Sequence, residues 1–286
     1  MNAPSDVLSD PPAREVPSVR PGLSGALANR TRPPRPGALS NVSAFAWRAL
    51  LKVKHVPEQL FDAVITPIMF TVMFTYIFGG ALAGSPREYL QFLLPGIMAQ
   101  TVVFASMYTG VTLNTDLSKG IYDRFKSLPI WHLSPILGAM FGDFLRYTLS
   151  STIVVLVGLL MGYRPEAGFV GVVLSIALLN LVAFGFGWIF TTLGVALRTP
   201  GTVMTFSWLF LMPLTFASNV FVDEATMPAW LKAFVEVNPV ALLVSALRGI
   251  LDGTVTARQV GYALIAPAAL TVILSPIALA LYRRKR

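Results

Sequence analysis

Asp143 and Arg146 stand three residues apart in the run GAMFGDFLRYTLSS, inside otherwise apolar sequence. On a helix that spacing puts them on one face, within reach of each other. Charges in such a setting are costly, and two uses repay attention: a structural ion pair tying one helix to its neighbours, or the polar lining of a solute path. Sequence alone leaves both open. Other chemistry-bearing residues are scarce. Cysteine is absent, which excludes thiolate chemistry and disulfides. His55 and His132 lie far apart with no metal-ligand spacing, so no metal site is expected. No G-x-x-x-x-G-K-[ST] sequence occurs, so no phosphate-cradling loop of the Walker type is present. Gly79-Gly80 and Gly185-x-Gly187 sit inside apolar runs and read as close helix contacts.

The elements that must position these residues follow from hydropathy. Of the 286 residues, 55% are hydrophobic and only 13% charged, with a mean hydropathy of +0.66. Soluble domains carry about 25% charged residues, so an ordinary soluble enzyme is excluded. A spanning helix needs about 20 mostly apolar residues, and six runs qualify: 60–82, 90–113, 133–161, 167–197, 201–222 and 260–282. The fold class expected is therefore all-α and polytopic, in one membrane domain over 41–286. Residues 1–40 hold eight of the 21 prolines, have no apolar run, and read as a disordered tail without a secretory h-region.

Lys and Arg set the orientation. With the N-terminus in the cytoplasm, sixteen basic residues fall on that side, from Arg14 to Lys54, at Lys119, Arg124 and Lys126, at Arg198, and from Arg283 to Arg286. Five fall outside: Arg87, Arg164, Lys232, Arg248 and Arg258. Both termini are expected in the cytoplasm. Residues 240–251 are apolar but too short to cross. Pro228 and Asn238-Pro239 mark two helix starts, with Trp230, Phe234 and Val237 on one face, and Asp252-Gly253 ends the second. Two short helices carrying Trp230, Asn238, Pro239 and Arg248 predict a re-entrant or interfacial hairpin on the outer side. Ahead of the first span, SNVSAFAWRALLKVKH places Arg48, Lys52 and His55 on one face and Trp47 at headgroup depth. This predicts an amphipathic helix in the cytoplasmic interface. Asp62 and Glu58 open the first span, where a helix N-terminus accommodates carboxylates. Asn180, alone in an uncharged run, is expected to hydrogen-bond to another helix.

The loop NTDLSKGIYDRFKSLPIWH, 114–132, repeats apolar residues at Leu117, Ile121, Phe125 and Leu128, one stripe of a helix, with Asp123 and Arg124 off it and Pro129 ending it. Its apolar face needs a receiver, either lipid or a groove on a soluble partner. Aromatic residues at 184, 186, 188, 190, 206, 208 and 210 face lipid, other helices or a flat hydrophobic solute.

The loop GIYDRFKSLPI, the stretch MPAWLKAFVEVNPVALLVSALRG and the six-span plan resemble ABC-2 transporter permeases, in particular the daunorubicin-resistance type of membrane subunit. That type reads G-[IV]-x-[DE]-R-[FL]-[KR]-S-[LM]-P in the loop, matched here from Gly120 and Ile121 through Asp123, Arg124, Phe125 and Leu128 to Pro129. The resemblance covers residues 42–286. It implies a dimer, as homodimer or with a paralogue, each subunit coupled through this loop to a cytoplasmic ABC ATPase that binds ATP and Mg; this chain itself carries no cofactor. It also implies export of a hydrophobic or amphipathic compound across the plasma membrane, with the outer helices matching the family's hairpin. Leu117-Ser118-Lys119-Gly120 only echoes the ATPase signature LSGGQ. A polysaccharide or glycolipid exporter of the same superfamily and an ion-coupled carrier are the alternatives. The carrier is disfavoured by the pairing available to Asp143 and by the absence of visible repeats. No nucleic-acid partner is expected.

Overall fold

The computed structural model describes residues 57–120 and 134–284, with five single positions between Gly37 and Trp47. Among the described residues there are eight α-helices and no strand: α1 (Pro57–Ala83), α2 (Pro86–Ser118), α3 (Ser134–Met161), α4 (Gly168–Ala196), α5 (Pro200–Phe216), α6 (Ala229–Val237), α7 (Pro239–Leu251) and α8 (Ala257–Arg284). Of these, α1, α2, α3, α4 and α8 are long and apolar enough to cross a membrane, and α6 with α7 forms a pair bent by 77°.

Three helices start with a side-chain cap followed by proline, which brings a preset φ and no orphan N–H. Ser85 accepts from the Glu88 N–H at 3.2 Å ahead of Pro86. Thr199 accepts from the Thr202 N–H at 3.2 Å ahead of Pro200, and Asn238 from the Val240 N–H at 2.9 Å ahead of Pro239.

Helix α2 is the centre. In its most apolar window 83% of the residues are buried, against 22% for α1 and 11% for α8. It packs against α1, α3, α4, α5 and α7, while α8 lies on α4 and α7. The glycines make these approaches possible. A Cβ on Gly110 of α2 would sit 2.1 Å from the Phe190 carbonyl oxygen of α4, and one on Gly194 would sit 2.5 Å from the Gly110 oxygen. Of the glycine pairs singled out in the sequence, Gly185 meets Pro267 of α8, with 2.4 Å to its Cβ, and Gly79 meets the Pro86 backbone at 2.6 Å. Gly80 faces open space.

Two boundaries differ from the sequence reading. The fifth run is helical only over 17 residues, about 25 Å at 1.5 Å per residue. Beyond Phe216 the chain leaves the helix, yet Ser218, Asn219, Val220 and Phe221 remain buried. The cause is on a distant residue: the Asn238 amide donates to the Leu214 and Ala217 carbonyls at 2.7 and 2.8 Å and satisfies the helix end. At the other boundary, α2 runs to Ser118 and stops where Gly120 takes φ +64°. Leu117 therefore belongs to α2, not to the loop stripe. It packs with Leu113, Met140, Trp188, Val195 and Ala278, a second core at the end of the bundle where α2 and α4 finish and α8 terminates.

Candidate functional site

The pair singled out in the sequence is formed. Arg146 and Asp143 on α3 approach to 3.1 Å, and both are buried. Around them is a polar centre shared with α2. Thr109 donates a short hydrogen bond to the Asp143 carboxylate and lies 3.2 Å from the Tyr147 hydroxyl. The same guanidinium nitrogen that meets Asp143, Arg146 Nη2, also donates to the Ala105 carbonyl of α2 at 2.7 Å. The cation also lies 5.7 Å from the Tyr108 ring and 5.5 Å from the Tyr147 ring, within range of cation–π attraction. Two charges, four polar or aromatic neighbours and two helices thus make one compensated unit, which is how a buried ion pair offsets its desolvation cost.

Arg146 is also one wall of a cleft of about 730 Å³, open mouth included, between α1, α2, α3 and α5. Most of the lining is apolar: Pro67 and Phe70 from α1, Ile97, Phe104 and Met107 from α2, Trp208 and Met212 from α5. Phe104 and Trp208 meet edge to face at 5.0 Å between centroids. The polar lining is Thr66, Gln100, Thr101, Tyr108 and Arg146. Residues 97–108 straddle the middle of α2, so the cleft is at mid-span. An apolar, aromatic hollow with a few convergent polar groups is the usual form of a small-molecule site.

The family follows from comparison with known sequences. The model of the ABC-2 type transporter family matches residues 40–251. The chain belongs to the ABC-2 type transporter family. It is 43% identical over 263 residues to the daunorubicin resistance ABC transporter permease protein DrrB1 of Streptomyces coeruleorubidus, covering 92% of this chain and 93% of that protein. It is 24% identical over 260 residues to the probable doxorubicin resistance ABC transporter permease protein DrrC of Mycobacterium tuberculosis, 87% of this chain and 93% of that one. A putative transport permease, ycf38, of Cyanophora paradoxa is 24% identical over 70% of each chain. Membership of this transporter family and the long apolar helices make it a multi-pass membrane protein.

In this ABC-2 chain the residues of the bent pair α6 and α7 gather at the bundle end opposite Lys119, Arg198 and Arg283. Asn238 joins the end of α5 to the start of α7, as above. Arg248 of α7 donates to the Phe92 carbonyl at 3.2 Å and the Asn219 carbonyl at 2.7 Å, with its guanidinium 3.6 Å from the Phe92 ring. Together they fasten α7 to α2 and to the irregular segment after α5. Beside them, burial and then the Glu166 carboxylate push the Asp252 carboxyl above the usual range, with Arg248 opposing. Burial, and then Asp252, likewise raises the Tyr163 phenol. Trp230, Phe234 and Val237 are all exposed, so the apolar face of α6 points away from the bundle.

At the opposite end Asn114 of α2 donates to the Gly194 and Leu197 carbonyls at 2.8 and 2.9 Å and caps α4. Gly120 is the last described residue of the loop; Ile121, Asp123, Arg124, Phe125, Leu128 and Pro129 lie outside the described residues, as do Arg48 and Lys52. Trp47 is exposed. Asn180 meets its expectation, donating to Thr148 Oγ1 of α3 at 3.0 Å. Of the aromatic group at 184–210, only Trp208 reaches the cleft; Phe186, Trp188 and Phe190 are core and Phe206 and Phe210 are exposed. Sequence reasoning passed over Phe70, Gln100, Phe104 and Tyr108. The available signal was Gln100-Thr101, an amide and a hydroxyl in the middle of a chargeless apolar run.

Proposed function

We propose that this chain is the membrane-spanning permease of an ATP-driven exporter, moving a hydrophobic or amphipathic compound out of the cell. The observation that carries the reading is the mid-span cleft, whose aromatic walls suit a compound arriving from the membrane rather than an ion needing a hydrated path. The names of the relatives, permeases for daunorubicin and doxorubicin resistance, support the same class of cargo. The chain crosses the plasma membrane six times, through α1, α2, α3, α4, α5 with its buried extension, and α8, so both termini are cytoplasmic. The bent pair α6 and α7 is a re-entrant hairpin on the outer side, its exposed Trp230 and Phe234 at headgroup depth. The segment carrying Trp47, Arg48 and Lys52 lies in the inner interface as an amphipathic helix.

ATP and Mg are bound by a separate cytoplasmic ABC ATPase, and a second permease, identical or paralogous, completes the assembly. The ATPase docks on the loop Gly120–Pro129, with Ile121, Phe125 and Leu128 as the apolar contact and Leu117 holding the loop's root to the bundle. Burying a Phe at a partner surface contributes roughly 1.5–3 kcal/mol, one to two decades in affinity. Coexpression with the ATPase tests this directly. The pair is expected to copurify, with ATP hydrolysis stimulated by hydrophobic compounds. Phe125→Asp is expected to lose copurification and transport while still inserting in the membrane. Wild-type copurification and transport in that variant would overturn the docking assignment.

A further inference from the structure

Beyond Phe216 the chain runs as a strap, residues 217–222, and its carbonyls are held by side chains from other elements. Asn238 takes the Ala217 carbonyl, Arg248 the Asn219 carbonyl at 2.7 Å, and the Tyr89 hydroxyl of α2 donates to the Phe221 carbonyl at 2.8 Å. Val220 lies against Gly96 of α2, where a Cβ would come within 2.7 Å of the Val220 carbonyl oxygen. Non-helical backbone at membrane depth is tolerated where it is buried in protein and its polar groups are taken up in this way. Stacked rings connect the strap to the cleft. Phe70 lines the cleft. Phe74, one turn further along α1, stacks on Phe70 at 5.7 Å and on Phe221 at 4.6 Å, and Phe221 stacks on Phe216 at 5.2 Å. This column leads from the cleft wall to the strap, toward the end of the bundle that holds α6 and α7.

The strap has a second way to satisfy its backbone. From Leu214 to Val222 the sequence holds no glycine and no proline, so α5 can continue through it with its carbonyls bonded inside the helix. Six more residues add about 9 Å to a helix of about 25 Å, enough to pass the hydrocarbon thickness of about 30 Å. One segment with two arrangements of similar hydrogen-bond content is what a two-state element requires.

We infer that residues 217–222 are an outward gate, shut as the strap and open when they join α5, and that Tyr89, Asn238 and Arg248 are the positioning residues that hold it shut. This rests on the cleft being the solute path and on the orientation proposed above. In the shut state Phe221 is buried and stacked on Phe74. Winding the strap into α5 turns Phe221 off Phe74 and parts the column at the outward end of the cleft. The trigger is a separation of α7 from α2. It cannot leave all three bonds in place, because Asn238 and Arg248 belong to the start and body of α7 and Tyr89 belongs to α2.

Ser218→Cys puts one thiol in the strap, at a position 2% exposed, in a chain with no other cysteine. Its reaction rate with fluorescein maleimide is measured on the full chain copurified with the ATPase in detergent, with and without Mg-ATP. Labelling is expected to run at least fivefold faster during hydrolysis, a change that a merely structural segment does not show. Tyr89→Phe and Arg248→Lys, each releasing a carbonyl, are expected to raise the ATP-free rate at least threefold. Hydrolysis in the same sample with an unchanged labelling rate would overturn the gate and leave the permease reading standing. Failure to copurify with an ATPase counts against that reading instead. The gate is then decided on the isolated chain, where unchanged labelling in both Tyr89→Phe and Arg248→Lys would overturn it. A lock supplies the second readout: Asn219→Cys with Ser245→Cys, replacing side chains that meet at 2.9 Å, bridged by a short bis-methanethiosulfonate. Bridging is expected to cut rhodamine 6G efflux from cells at least tenfold, and a reductant to restore it. Undiminished efflux through the bridged chain would also overturn the gate.

Discussion

At the scale of single residues, the unit formed by Asp143, Arg146, Thr109 and Tyr147 does two jobs that separate cleanly. Asp143 is held at α2 by Thr109 and by Arg146 and is not among the residues that line the cleft. Arg146 alone reaches the cleft. Removing one partner of a buried ion pair costs about 3–5 kcal/mol, because the other charge is left uncompensated, whereas removing both is far milder. Asp143→Asn is therefore expected to lower the yield of folded protein sharply, and Asp143→Asn with Arg146→Met to restore most of it. Size-exclusion yield and thermal unfolding in detergent read this. A single Asp143→Asn variant as stable as wild type would show that the pair contributes nothing to the fold. The restored double variant should still transport poorly, having lost the one member of the unit that lines the cleft.

At the scale of elements, the close passage of α2 over α4 fixes where the cleft wall stands. Gly110 and Gly194 let the two backbones meet, and Asn114 one turn on ties α2 to the last carbonyls of α4. In lipid, where helix association depends on packing and interhelical hydrogen bonds rather than on water exclusion, such small-residue seams carry much of the specificity. A methyl at Gly110 has nowhere to go, since the atom it would strike is backbone. Gly110→Ala is expected to destabilise by roughly 1–3 kcal/mol, the usual cost of overpacking a tight interior. Gly80→Ala, with open space around it, should be neutral. Melting midpoints of the two variants that coincide would refute the seam.

At the scale of the whole molecule, the basic residues sort by bundle end. Lys119, Arg198 and the α8 terminus with Arg283 and Arg284 share one end through the second core and the Asn114 cap. Arg87, Arg164, Lys232 and Arg258 belong with the links at the other end, where Asn238 and Arg248 bind α7 to α2 and α5. The orientation proposed from the charge rule puts the first end in the cytoplasm. Cysteines placed at Ser85 or Thr226 should be labelled by an impermeant maleimide on intact cells, and one at Ser127 only after permeabilisation. Labelling at Ser127 from outside would invert the orientation and remove the ATPase from the loop.

The sequence by itself determined the class of molecule. Run length and charge placement are additive along the chain, so the all-helical class, five of the six candidate spans and the sorting of basic residues were legible, and so were local events such as the i,i+3 pairing of Asp143 with Arg146 and the cap at Asn238. The loop motif and the absence of a Walker sequence were legible for the same reason. What depended on contacts between distant segments was not. The end of α5 is set by Asn238, 21 residues beyond Ala217. Leu117 looked like the first residue of a loop stripe until the turn at Gly120 assigned it to α2 and the second core. The cleft itself is made by four helices, and no periodicity in any one of them says which face is turned to the others.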